Sequence, residues 1–300
     1  MPIDARKIVL APDGGSQSPT GLALNGMRLG FRALSKVAPG TAARLATQLW
    51  FRPPRPRVHP LAQDFMRTGD RSTMLVRGRP VAVWTWGSGP TVLLVHGWGG
   101  YGGQMQPFVE PLVRAGYQAV IFDAPAHGES GPSQLGDRRT TLFDFAYVID
   151  AVGTERKGLA GIIAHSGGCT AVAWAMLTSQ WKPKSLAFIA PMASASAYRT
   201  LFHRALGLSE DVEQRFIDIT SRRFGFRWED LEVPEMSARM TTPPVLVVHD
   251  RDDNETAWAE GAAIAEAWPQ SVLKTTEGLG HRRVLRDPGV VDAVTGFVTR

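Results

Sequence analysis

Six short runs of mostly apolar residues recur along the later part of this 300-residue chain. They are TVLLVH (91–96), QAVIFDA (118–124), GIIAH (161–165), SLAFIA (185–190), PVLVVHD (244–250) and SVLKTTE (271–277). Unbroken apolar stretches of this length suit strands covered on both faces, as in a parallel sheet. Segments of helical period lie between most of them, among them QMQPFVEPLVRAG (104–116) and AWAEGAAIAEAW (257–268). Strand and helix in alternation specify an α/β, doubly wound, mostly parallel sheet flanked by helices. Ahead of the series, STMLVRG and PVAVWTW alternate in polarity about Gly78-Arg79, the pattern of an antiparallel hairpin.

Two segments fall outside this rhythm. Residues 192–241 contain no strand pattern but carry Tyr198, Phe202, Phe216, Phe224, Phe226 and Trp228. So long and aromatic a stretch is not a simple loop. It reads as a helical cap insertion over the C-terminal edge of the sheet, where open α/β sheets bind ligands. Residues 1–65 read as an N-terminal extension: one or two amphipathic helices in 21–50, broken near Pro39-Gly40, then the extended linker RPPRPRVHP. Residues 66–300 then form the main domain. Residues 1–90 carry a net charge of +9 and the remainder −4. A basic front end can touch an anionic membrane surface. Docking on the core is the simpler expectation. With no nucleic-acid-binding module recognisable, no nucleic-acid partner is expected. The content of 44% hydrophobic and 20% charged residues excludes wholesale disorder. No run is long enough to span a bilayer, no secretory signal stands at the N-terminus, and the single cysteine, Cys169, fits a reducing compartment, so a cytoplasmic location is expected.

The chemistry centres on GIIAHSGGCTAV (161–172), where a strand ends at about His165 and a helix begins after Ser166. A tight strand-to-helix turn lifts the central side chain clear of the backbone. It needs small residues two places before and after, which Ala164 and Gly168 supply, so the stretch is a nucleophile elbow with Ala in place of the first Gly. On these residues alone, a serine that simply caps a helix fits equally well. Three companions favour chemistry. HGWGG (96–100) follows a buried strand and can present backbone N–H groups to an oxyanion, each worth about 3 kcal/mol to acyl transfer. The donors are expected at Gly167 and Trp98, with Gly99 as the second choice for the latter. Phosphate binding is disfavoured there, because neither a P-loop lysine nor a complete G-x-G-x-x-G is present. HDRDD brings Asp250, Asp252 and Asp253 to a strand end, as acids that could orient an imidazole, cap a helix or, less readily, bind metal. His281 in GLGHRR follows the last strand pattern, which completes the chain order Ser, Asp, His.

HGWGG, DAPAHGES, AHSGG, HDRDD and GLGHRR together resemble the α/β-hydrolase superfamily from about residue 72 to the C-terminus. The resemblance implies the α/β-hydrolase fold: an eight-stranded sheet, a cap after the sixth strand and a Ser166–Asp253–His281 triad. The acid falls on Asp253 rather than Asp250 or Asp252 because such proteins place it three residues beyond the turn ending strand seven. Asp250 stands where Gly is frequent in the family. The expected activity is cofactor-independent hydrolysis of a small-molecule carboxylic ester or thioester through an acyl-enzyme, without a metal. The alternatives are another acyl-transfer or C–C-cleaving reaction on the same residues, or a catalytically silent binding protein of the same fold. Gly99, Tyr101, His165, Tyr198 and Phe202 are expected to line the substrate site. Asp123, His127 and Ser130 are read as loop-shaping hydrogen bonders.

Overall fold

Alternation of side chains across each strand sets the architecture. A computed structural model describes residues 19–300, with side chains from Leu24 onward. The expectations for residues 1–18 lie outside the described residues. The sheet has eight strands, β1 (Asp70–Val76), β2 (Arg79–Trp86), β3 (Thr91–Val95), β4 (Gln118–Phe122), β5 (Gly161–His165), β6 (Leu186–Ile189), β7 (Val245–Asp250) and β8 (Ser271–Thr276). Their order is β1-β2-β4-β3-β5-β6-β7-β8. The β1–β2 and β2–β4 pairs are antiparallel, and every later pair is parallel. The chain splits into two compact units, Arg55–Ala193 with Val233–Arg300, and Ser194–Glu232 with the residues up to Pro54.

In the unit that holds the sheet, alternate residues feed two separate cores. Leu93, Val95, Ile162, Ala164, Phe188 and Val247 belong to one face, and Val92, Leu94, Ile163, Ile189 and Val248 to the other. The central strands are therefore apolar throughout. The edges differ from the reading of every run as a covered strand. β8 is last in the order, its exposure alternates, and Val272 is 55% exposed. The hairpin turn falls at Arg77 and Gly78, both with positive φ, as a two-residue turn that follows strand twist requires. The segment expected to be one helix over 104–116 starts instead as a 3₁₀ turn, Gly102–Phe108, and becomes α-helical only at Val109–Arg114. Pro107 lacks an N–H and cannot continue an α-helical ladder. Elsewhere local signals set the helix starts. Thr141 and Asp144 form a capping box for Leu142–Glu155, and Asp287 caps Pro288–Val298.

The second unit is helical. Pro19–Val37 and Pro39–Trp50 meet at Ala38, and Pro39 opens the second helix at a position where the missing N–H costs nothing. Ala195–Leu206 and Glu210–Phe224 start at Ser194 and Ser209, whose side chains cap them, and end at Gly207 and Gly225 in the left-handed region. Trp50 is the hub, with ring centroids 5.1 Å from Phe202, 5.6 Å from Trp228 and 6.0 Å from Phe216, all edge-on. Such pairs add roughly 0.5–1.5 kcal/mol each beyond area burial. The aromatic residues of the insertion thus have a partner about 150 residues earlier in the chain. No helix among the described residues is long and apolar enough to cross a membrane.

Candidate active site

The strand order reverses at β3, which lies between β4 and β5. In open α/β sheets such a reversal, outside the carboxyl ends of the strands, is the place where ligands bind. The register Val95↔Ala164 places those two ends side by side. Ser166 is the first residue beyond β5, with φ 53° and ψ −127°, a region that non-glycine residues rarely enter. The turn is held by the Ser166 amide donating to Ile189 O (3.0 Å) and by the amides of Cys169 (3.0 Å) and Met192 (3.3 Å) donating to Ser166 O. Ser166 occupies the N-cap position of Gly167–Thr178, yet its side chain makes no capping hydrogen bond. The hydroxyl is therefore not committed to the helix.

Close approach explains the small neighbours. A Cβ on Gly168 would lie 2.6 Å from His96 O, inside any allowed contact. Gly168→Ala must push the β3 loop away. It should cost about 1–3 kcal/mol, read as a lower denaturant midpoint with an unchanged slope. A midpoint equal to that of the wild type would contradict this geometry.

The β3 loop supplies amides beside the serine. A Cβ built on Gly167 would be 3.7 Å from Trp98 N, so the Gly167 and Trp98 backbones are neighbours. Gly167 is the first residue of its helix, where an N–H has no intrahelical partner. The Gly99 amide is already engaged, donating to His127 Nε2 at 2.9 Å. His127 Nε2 must then be the bare nitrogen, and Nδ1 carries the hydrogen that faces Pro125 O at 3.2 Å. Of the two candidates after β3, Gly99 is thus the one whose amide is already spent. His96 braces the same loop, accepting from the Ala124 amide at 3.0 Å. Asp123 accepts the amides of Gly102 (2.6 Å) and Glu129 (2.7 Å), and Ser130 donates to Asp123 O.

Beyond β7 and β8, Asp253 Oδ2 lies 2.8 Å from His281 Nδ1. The same oxygen accepts from Thr256 Oγ1 (2.9 Å), and Oδ1 accepts the amides of Glu255 (2.8 Å) and Thr256 (2.9 Å). His249 Nε2 is 3.4 Å from Oδ2 and 3.0 Å from Thr256 O. Burial opposes the charge of Asp253, but hydrogen bonds from His249 and His281, the nearby imidazole charge and the Thr256 amide outweigh it. The carboxyl is held well below the usual carboxylate range. Asp250 is also held low: burial again opposes, and bonds from Thr276, Gly280, Leu279 and Asp252 prevail. His165 links this arm to the serine turn. Its ring is 4.6 Å from that of His281, and its Nε2 is 2.9 Å from His281 O. An imidazole tied through Nδ1 to a buried carboxylate keeps Nε2 for proton exchange.

Known proteins similar to this chain share its fold. Residues 89–222 match the family model described as serine aminopeptidase, S33. A curated relative, 2-hydroxy-6-oxononadienedioate/2-hydroxy-6-oxononatrienedioate hydrolase 1 of Dechloromonas aromatica (strain RCB), is 36% identical over 96 residues. That stretch is 30% of this chain and spans only 32% of the relative's length. Among solved structures, an esterase from Exiguobacterium antarcticum superposes with a TM-score of 0.59 at 15% identity, over 77% of this chain and 100% of its own. The monoacylglycerol lipase of Paleococcus ferrophilus gives 0.57 at 22% identity, over 73% and 98%. The chain has the α/β-hydrolase fold.

The remaining expected site residues fall in differing places. Tyr101 is buried beyond the β3 loop, and its hydroxyl accepts from the His59 amide at 3.3 Å. Tyr198 and Phe202 lie in the helical unit, where Phe202 is fully buried against Trp50 and has a packing environment. Cys169 is buried with Sγ 3.3 Å from Ala164 O, and burial pushes its thiol well above the usual range, which removes it as a nucleophile. Thr256 and His249 both touch Asp253, and the sequence pattern assigns neither of them a site role. Thr256 lies outside any motif, whereas His249 is the first residue of HDRDD. The available signal was position, since Thr256 follows that motif by three residues.

Proposed function

We propose that this chain is a serine hydrolase that cleaves carboxylic esters or thioesters through Ser166, His281 and Asp253. The observation that carries the reading is the 2.8 Å contact of Asp253 with His281 Nδ1, reached from the serine turn through His165. In this mechanism His281 Nε2 takes the Ser166 proton, because a serine hydroxyl is a weak nucleophile unaided. Ser166 attacks the acyl carbonyl, and the Trp98 and Gly167 amides receive the oxyanion. His281 returns the proton to the leaving group, and water, activated the same way, clears the acyl-enzyme. Asp253 keeps the ring in the tautomer with Nδ1–H and offsets the imidazolium charge. Oxyanion stabilisation by main-chain donors needs neither metal nor cofactor.

The test is a panel of acyl esters and thioesters of graded chain length. It includes an aminoacyl arylamide and an oxo-dienedioate, the chemistries named by the family model and the curated relative. A fluorophosphonate probe should label Ser166 covalently, with peptide mapping as the readout. Well-folded protein that takes no label and turns over no ester would replace this reading with a ligand-binding one.

A further inference from the structure

We propose that Asp250 is a positioning residue for His281, fixing the backbone of the histidine loop while Asp253 fixes the ring. The inference rests on the serine-hydrolase reading. Asp250 ends β7 and is fully buried. Its register partner at the end of β8 is Thr276. Both carboxylate oxygens are filled. Oδ2 accepts from Thr276 Oγ1 (2.7 Å) and the Leu279 amide (3.1 Å). Oδ1 accepts the amides of Gly280 (2.9 Å) and Asp252 (3.0 Å). Asp252 Oδ2 takes the Gly278 amide at 2.7 Å, and the Arg251 amide donates to Thr276 O at 2.9 Å.

The three residues that immediately precede His281 therefore all point their N–H groups at acids on the end of β7. The loop needs such holding. Gly278 (φ 74°) and Gly280 (φ 65°) both sit in the left-handed region, where glycine pays no steric penalty but has the most backbone freedom to lose. Two left-handed glycines around one residue would leave the histidine free to swing. Charged acceptors on three successive amides remove that freedom, because a hydrogen bond to a carboxylate is roughly twice as strong as a neutral one. Asp253 lies three residues beyond Asp250 on the same turn. One short segment thus sets where His281 begins and where its Nδ1 ends. The acids of HDRDD have separate tasks: Asp253 acts on the imidazole, Asp250 on the loop, and Asp252 on the more exposed Gly278.

Asp250→Ala and Asp250→Asn test this, with kcat and KM on an acyl ester and both the rate constant and the end point of fluorophosphonate labelling at Ser166. Loss of the clamp misplaces the base, and a displacement near 1 Å costs about 100-fold. Asp250→Ala should lower kcat by about that factor, with KM within about threefold, and slow labelling in parallel while the end point stays near one per chain. Asp250→Asn keeps one acceptor oxygen for Gly280 and Asp252 and can donate to Thr276 Oγ1, leaving only the Leu279 amide unmatched. Its loss should be intermediate, about tenfold. If Asp250→Ala does not fold, Asp250→Asn decides alone. Folded variants that label and turn over within twofold of wild type overturn the proposal. So does a reduced end point with an unchanged rate constant, the mark of a purely structural role. If wild-type labelling misses Ser166, the hydrolase reading falls, and this proposal with it.

Discussion

Replacing Ser166 with alanine should lower kcat on the best ester of the panel by roughly 10⁴–10⁶ while leaving KM nearly unchanged. The size of the loss follows from removing the atom that bonds to the acyl carbon, since amide donors and bound substrate alone retain only a small part of the acceleration. The same site separates catalysis from stability. Alanine keeps a Cβ at φ 53° and therefore keeps the backbone strain of the turn. Ser166→Gly removes that Cβ and should be more stable than Ser166→Ala by about 1 kcal/mol, with equal loss of activity. Paired melting and kinetic measurements give the result. A Ser166→Ala protein with wild-type turnover would end the nucleophile assignment. A Ser166→Gly protein no more stable than Ser166→Ala would show that the turn is unstrained.

Legibility in the sequence tracks how local the determining physics is. The strands could be read because burial on both faces leaves unbroken apolar runs, and β3 to β7 fall where those runs lie. β8 was read as covered because SVLKTTE resembles the others, whereas its exposure depends on standing last in the sheet. The serine turn was legible since its steric demand, small residues two places away, is written beside Ser166. The engagement of the Gly99 amide was not, because the lone pair that takes it is on His127, nearly 30 residues downstream. The different contacts of Asp250, with the Leu279 and Gly280 amides, and of Asp253, with His281 Nδ1, depend on how the β7 and β8 ends meet, and spacing alone carries no such information. Phe202 was read as a pocket residue for its apolar character. Its surroundings include Trp50, a partner no local pattern reveals.

Asp253→Asn should keep the fold and lower kcat by about 10⁴. An amide in place of Oδ2 can present N–H to His281 Nδ1, which turns that nitrogen into the acceptor and puts the hydrogen on Nε2. The base then faces the serine with its lone pair spent. Thr256 strengthens the effect, since its hydroxyl lies 2.9 Å from Oδ2 and 3.1 Å from His281 Nδ1 and can follow either arrangement. The variant also changes how stability responds to acid. The folded carboxyl of Asp253 titrates well below its unfolded range near pH 4, so the folded state binds fewer protons there. Its contribution is fully present above about pH 4 and is lost as the pH falls towards the folded value. Asparagine does not titrate. Denaturant midpoints measured between pH 6 and pH 3 should therefore fall less steeply for Asp253→Asn than for wild type, and the gap between the two curves should begin to narrow below about pH 4. Parallel curves would mean that Asp253 is not the strained proton site of the fold. Wild-type kcat in Asp253→Asn would move the orienting role to another acid.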